Sequence, residues 1–283
     1  MNNVKGKIIF GEDISTISIN SLSNENISLY IKENSTIIVN NDAKDLKTVG
    51  DGGTSIELTT SNLGNVEISD SSSVVLTAPN ATGNLNIISN GSIVVNDAKS
   101  LKGNITLSAV GTISLDEISL VSGKIDIDNL RATEGSDVEF KGSTSAKSLD
   151  IESVGAVTTK SDGGFTEAEV IKITAAENST IYSTGTSSKA VELSGANTSG
   201  NEIAFNIDIN FMTTLALSGS IPIKVLLSGD DLDQTVVTNT NSVSSSLLIS
   251  AADTDLSSIA DTVQIHLENF DGKTVIVGQD QRF

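Results

Sequence analysis

A repeat with a period near twenty residues constrains this fold more than any other feature of the sequence. Four units begin with glycine, 19, 20 and 20 residues apart, at Gly64, Gly83, Gly103 and Gly123. In each unit the second and fourth residues after the glycine are aliphatic, and the residue between them is polar. A fixed period of roughly 20 to 50 residues is typical of stacked repeats. We therefore predict an all-β fold, a parallel β-solenoid with coils of about 20 residues and the right-handed crossover that parallel strands prefer.

The alternation within a unit predicts which side chains face the core. Period-2 spacing sends the aliphatic pair inward and the residue between them outward. The outward column predicted for the seven units from Gly64 onward consists of Glu67, Asn86, Thr106, Asp126, Asp150, Lys172 and Glu192. The asparagines that follow three unit-start glycines, Asn65, Asn84 and Asn104, are expected to form an amide ladder that ends at Lys124. Glycines at unit starts and corners are expected to supply turn conformations.

The repeat divides the chain into two predicted regions. Residues 1–205 are predicted to be solenoid repeats, and residues 206–283 a terminal β module or degenerate capping coils. The polar segment 131–146 is interpreted as an insertion that lengthens one coil, since the later units are 24, 22 and 20 residues apart. Residues 250–263 are compatible with a short helix or with further coil corners.

Charge and composition narrow the classes of partner. The chain has 36 acidic and 17 basic residues and a formal net charge of −19. A field of this sign repels nucleic acid and anionic lipid and favours divalent cations as counterions. No apolar run approaches the roughly 20 residues of a membrane helix. We therefore expect neither nucleic-acid binding nor membrane insertion.

The residues that usually carry catalysis are sparse. The chain has one histidine, His266, in a strand-like segment, and no cysteine. Its two tyrosines, Tyr30 and Tyr182, stand alone in the sequence, whereas sugar-cleaving β-helix enzymes bind substrate on aromatic platforms. The carboxylate pairs Asp126/Asp128 and Asp150/Glu152 fit solvation of an exposed strand better than acid–base chemistry, which needs separated pKa values. We predict that the chain is not an enzyme.

Two acidic clusters are candidate calcium ligands. The first is formed by Asp230, Asp231 and Asp233, and the second by Asp253 and Asp255. Loop carboxylates and backbone carbonyls are the oxygen ligands that Ca²⁺ prefers. The glycine-rich GGxGxD repeat of calcium-binding β-rolls is absent. The clusters therefore predict Ca²⁺ as a cofactor, with a solvated loop as the alternative.

The units at Leu58–Ser69 (LTTSNLGNVEIS) and Val94–Leu115 (VVNDAKSLKGNITLSAVGTISL) resemble the β-solenoid parts of Gram-negative surface-layer (S-layer) proteins that are secreted by the type I route. The resemblance covers about residues 25–200. It implies a secreted structural protein at the cell surface that self-assembles into a paracrystalline extracellular coat with a Ca²⁺-dependent lattice. Self-association and cell-surface polysaccharide are the partners expected from it. An adhesin stalk and a carbohydrate-active β-helix protein remain the alternatives.

Overall fold

The computed structural model describes residues 6–9, 16–19, 26–30, 36–40, 43–49, 55–59, 63–71, 73–77, 84–96, 98, 103–120, 123–129, 136–160, 164–183, 190–209, 212–229, 235–250, 254–256, 263–268 and 275–277. These residues contain thirty β-strands, and every strand pairing among them is parallel. Within these ranges there is no helix long and apolar enough to cross a membrane.

Within the described residues, sheet A contains fourteen strands, one from each successive coil. In stacking order they are β1 (Gly6–Ile9), β3 (Asn26–Tyr30), β5 (Ala43–Val49), β7 (Leu63–Ser71), β9 (Leu85–Ser89), β11 (Ile105–Ala109), β14 (Lys124–Asn129), β17 (Ser148–Ser153), β20 (Val170–Ala175), β22 (Ala190–Gly195), β24 (Thr214–Gly219), β26 (Thr235–Asn239), β28 (Thr254–Leu256) and β30 (Val275–Val277).

Sheet B forms the second face of the same coils, and its strands alternate with those of sheet A along the chain. Its main stack is β2 (Thr16–Ile19), β4 (Thr36–Asn40), β6 (Ser55–Thr59), β8 (Ser73–Thr77), β10 (Ile93–Asn96), β12 (Ile113–Asp116), β15 (Val138–Phe140), β18 (Val157–Thr159), β21 (Ser179–Ser183), β23 (Ile203–Ile209), β25 (Ile223–Ser228), β27 (Ser245–Ser250) and β29 (Val263–Glu268). A short side stack contains β13 (Ile118–Ser119), β16 (Thr144–Ser145) and β19 (Phe165–Glu167).

The register between strands confirms the predicted β-solenoid. Leu85 pairs with Val66 on one side and with Ile105 on the other, and Ile105 pairs with Ile125. The second predicted column, Ile68, Ile87, Leu107 and Ile127, pairs in the same way. Copies of one sequence position therefore stack directly above one another, about 4.8 Å apart. A one-residue slip would turn every aliphatic side chain outward, so the pattern fixes the register.

The core is one continuous hydrophobic cluster between the two sheets, mostly aliphatic. It extends along the described coils from Ile68 to Ile249, and the partly buried Ile265 packs against it. Leu85, Ile105 and Leu107 are completely buried. The outward column is exposed as predicted at Asn86, Thr106, Asp126, Asp150, Lys172 and Glu192, while the side chain of Glu67 lies outside the described part.

The segment 131–146 differs from its interpretation as a polar insertion. Val138–Phe140 forms β15 within sheet B, and Thr144–Ser145 forms β16. The longer coils here have room for the side stack, in which β16 pairs with β13 and β19. Extra residues thus build a third short face as well as a loop.

The asparagine ladder is present, but its bonds run from side chain to backbone. The Asn84 Oδ1 accepts the Asn104 backbone N–H at 2.8 Å, and the Asn104 Oδ1 accepts the Lys124 N–H at 2.9 Å. Each amide thus satisfies a backbone donor of the next coil at the strand entrance. Lys124 ends the ladder as predicted, while the Asn65 side chain lies outside the described part.

The corner glycines have a different role from the predicted one. The positive φ angles among the described glycines occur at Gly164, Gly200, Gly219 and Gly229, and not at the repeat corners. At the corner glycine Gly155, a Cβ would collide with the Ser136 carbonyl and the Asp137 side chain of the coil below. The corner therefore needs glycine for close approach of neighbouring coils.

The described strands after residue 205 continue both sheets. Val225 pairs with Phe205 and with Leu247, so β23, β25 and β27 are neighbours in sheet B. Residues 254–256 form strand β28 rather than part of a helix, which makes the helical alternative for residues 250–263 wrong in this portion. The division of the chain at residue 205 stays a prediction.

Candidate functional site

The predicted calcium ligands fall mostly outside the described residues. Asp230, Asp231, Asp233 and Asp253 lie there, and Asp255 alone is described. Asp255 is half-buried in β28, where it pairs with Val236 and Ile276. Within the described ranges, no three histidine, cysteine, aspartate or glutamate side chains come close enough to hold a metal ion. A calcium site at the predicted aspartates therefore stays a prediction.

The predicted acidic pairs on sheet A are brought together. Asp126 pairs with Asp150 and Asp128 pairs with Glu152, on the neighbouring strands β14 and β17. Lys172 on the next strand lies 3.4 Å from an oxygen of Asp150, with both side chains about half exposed. Like charges opposite one another on a sheet repel, and Lys172 offsets part of that repulsion. This arrangement makes a charged outer face.

The remaining candidate residues have described backbones only. His266 lies in β29 and pairs with Leu248, and Tyr30 lies in β3 and pairs with Ile9. Their side chains lie outside the described part of the chain. The structure therefore leaves the predicted absence of catalysis as a prediction.

A groove on the outer face of sheet B was not predicted from the sequence. It has a volume of about 270 Å³ and crosses β21, β23, β25 and β27. Two outward columns form its floor and sides. One column contains Thr180, Asn206, Leu226 and Leu248, and the other contains Tyr182, Asp208, Ser228 and Ser250. Most of its surface is apolar, with hydroxyl, amide and carboxylate groups interspersed.

The groove exists because four strands far apart in sequence have a common register. Tyr182 pairs with Asp208, which lies 26 residues further along the chain. Thr159 fixes Tyr182 by accepting its backbone N–H at 2.7 Å. The signal in the sequence is the pair Leu226 and Leu248, two leucines at outward positions that are polar on the preceding strands β21 and β23.

A second depression lies at the corners between the sheets and is polar. Its volume is about 590 Å³, and Glu177, Asn178, Asn197 and Glu202 are among the residues that line it. Asn197 donates to the Asn201 carbonyl at 2.9 Å, and Asn178 accepts the Ala204 N–H at 2.8 Å. These amides hold the corner loops in place, so a structural role explains their presence in this depression.

Comparison with models of protein families, with curated proteins and with solved structures gave no match. The function of the chain is therefore inferred from its own sequence and geometry.

Proposed function

We propose that this chain is a structural segment of a bacterial surface layer, which self-assembles into a paracrystalline coat on the outside of the cell and has no enzymatic role. The observation that carries the proposal is the uninterrupted stacking of both sheets. Fourteen strands of sheet A follow one another in parallel register, and one core runs along the described coils. A stack of similar coils offers regularly spaced surfaces, which suit repeated contacts between identical copies.

The charge of the chain supports a role for divalent cations in this assembly. Copies with a net charge of −19 repel one another, and packing them side by side requires counterions. The exposed face around Asp126 and Asp150 adds to this repulsion. Ca²⁺ held at Asp230, Asp231 and Asp233, with Asp253 and Asp255 as a second group, is our proposal for the ion that relieves it.

The test is electron microscopy of the purified chain in millimolar Ca²⁺, in Mg²⁺ and in NaCl of matched ionic strength. The proposal expects ordered two-dimensional sheets in Ca²⁺ and dispersed rods without it. Dispersed rods under all three conditions would contradict the coat. That outcome would favour the second candidate, an adhesin stalk, which the groove at Tyr182 supports because a stalk needs a binding surface.

A further inference from the structure

We infer that the groove over β21, β23, β25 and β27 binds a neutral oligosaccharide, with Tyr182 as its aromatic platform. The inference deepens the proposed function, because it gives the cell-surface polysaccharide partner a defined site. The inference depends on the proposed function only for where the ligand comes from, which is the cell surface. The chemistry of the groove is independent of whether copies of the chain form a coat.

The floor of the groove is an apolar patch at an outward position. Leu226 and Leu248 pair directly with one another and are half-buried, as is Tyr182. On the preceding strands the same column holds Thr180 and Asn206. Large apolar side chains on the outer face of a sheet expose surface that gains free energy when a ligand covers it. The ligand must therefore have an apolar face.

Polar groups lie beside this floor and require a ligand with hydroxyl groups. Asn206 donates weakly to the Thr180 hydroxyl, at 3.4 Å, and retains further capacity for hydrogen bonds. Asp208, next to Tyr182, contributes a carboxylate, and Ser228 a hydroxyl. A pyranose ring has this combination of groups, with C–H bonds on its face and hydroxyl groups around its edge. The C–H face packs on an aromatic ring, and the edge exchanges hydrogen bonds with carboxylates and amides.

The groove is unsuited to the two main alternative ligands. A peptide strand binds by extending a sheet edge, but β23 and β25 each have a partner strand on both sides. An anion requires a positive group, and the described residues that line the groove include no lysine, arginine or histidine. Asp208 and the net charge of −19 oppose an acidic sugar as well. The charge of the described lining residues therefore favours a neutral sugar.

The direction of the groove implies an oligosaccharide rather than a single sugar. The groove crosses four strands, so it extends about 14 Å along the rod, at about 4.8 Å for each step between strands. Each successive strand presents two outward residues to the ligand, one from each column. A linear chain of a few sugar units fits a surface with this repeat.

The low aromatic content gives a direct binding assay. The chain has no tryptophan and two tyrosines, so Tyr182 is the only tyrosine in a Tyr30→Phe variant. This variant is titrated with neutral hexasaccharides of glucose, mannose, galactose and N-acetylglucosamine, and with a hexasaccharide of uronic acid. We expect at least one neutral sugar to change the tyrosine emission, with a Kd below about 10 mM. The uronate should bind more weakly.

Calorimetry on three variants in the same background locates the site. Tyr182→Ala and Leu226→Ser should each weaken binding by about tenfold or more, because both remove apolar contact with the ring. Val75→Ser is the matched control. Val75 is exposed and lies in the same outward column as Leu226, many coils away. The control should bind like the parent. Circular dichroism and the melting temperature verify that all three fold.

Three results would overturn the inference. They are no binding of any neutral hexasaccharide at about 10 mM, equal or tighter binding of the uronate, and binding that survives Tyr182→Ala and Leu226→Ser. Loss of ordered sheets in Leu226→Ser without any sugar binding would also overturn it, since the groove would then be a contact between copies. Sugar binding by a chain that never forms sheets would uphold the site and contradict the coat alone.

Discussion

The rings of Phe140 and Phe165 meet edge to face, with their centroids 5.0 Å apart and their planes at 79°. Both side chains are almost completely buried. Phe140 belongs to β15 of sheet B and Phe165 to β19 of the side stack, so the contact joins two faces of the solenoid. It lies where the coils lengthen, and the two rings fill interior volume that aliphatic side chains fill in the shorter coils.

Phe165→Ala should therefore lower the free energy of unfolding by about 3–5 kcal/mol, through lost burial and a cavity beside Phe140. Phe165→Leu should cost clearly less, because leucine fills part of the space. Val170→Ala is the surface control and should cost little, since Val170 is 38% exposed. Urea unfolding followed by circular dichroism gives the comparison. Equal losses for Phe165→Ala and Val170→Ala would contradict tight packing at this contact.

Ile105→Asp should disrupt several coils at once. The side chain is completely buried between Leu85 and Ile125, so an aspartate there is an unpaired buried charge, with a cost of at least about 4 kcal/mol. Thr106→Asp places the same group one position away on the outer face, where repulsion from Asp126 should cost less than about 1 kcal/mol. Hydrogen exchange should show lost protection in β9, β11 and β14 for the first variant only. Protection that stays unchanged in Ile105→Asp would refute the stacked core.

Glu117 has a left-handed backbone conformation, with φ of 53°, between β12 and β13. This conformation costs a residue with a Cβ about 1–2 kcal/mol, and glycine adopts it without that cost. Glu117→Gly should therefore be more stable than Glu117→Ala by about 1 kcal/mol, since both variants lose the carboxylate and only alanine keeps the strain. Chemical denaturation measures the difference. Alanine as stable as glycine would show that the corner is unstrained.

Exposed charges on sheet A should contribute little to stability. Asp126→Asn should change the free energy of unfolding by no more than about 0.5 kcal/mol, because Asp126 faces water. Lys172→Ala should cost less than about 1 kcal/mol, since its ion pair with Asp150 is solvent-exposed. Thermal melts at low and high salt measure both effects. A loss of several kcal/mol for either would indicate that this face is buried against something.

Calcium should stabilise the chain specifically. An ion that binds only the folded form raises the melting temperature by mass action, so millimolar Ca²⁺ should exceed Mg²⁺ in its effect. Screening alone would make Ca²⁺, Mg²⁺ and sufficient NaCl nearly equivalent. The triple variant with Asp230, Asp231 and Asp233 changed to Asn should lose the calcium shift. A shift that persists in this variant would place the ion elsewhere.

The regular part of the fold is predictable because its signal is local and repeated. The alternation around Leu85, Ile105 and Ile125 occurs in consecutive units, and it identifies both the buried columns and the exposed one. The same alternation does not reveal the side stack, because β13 and β16 contain two residues each. Strands that short have no periodicity to detect, and their polar residues suggest a loop.

The groove is unpredictable for a different reason. Tyr182 and Asp208 are neighbours only because the coil between them, which contains β22, has a particular length. The sequence shows a lone tyrosine and a pair of leucines, and the register that unites them is tertiary information. The same holds for the corner glycines, whose importance depends on which backbone of the next coil approaches them.

The stacking described for sheet A makes chain length a measure of distance. Fourteen strands separated by about 4.8 Å give a first-to-last span of about 60 Å. Removing or duplicating one whole unit, such as residues 103–122, would change the length of the rod by one strand spacing and keep every column aligned. The length of the solenoid is therefore set by the number of its coils. In any lattice that the chain forms, the repeat distance along the solenoid axis would depend on that number.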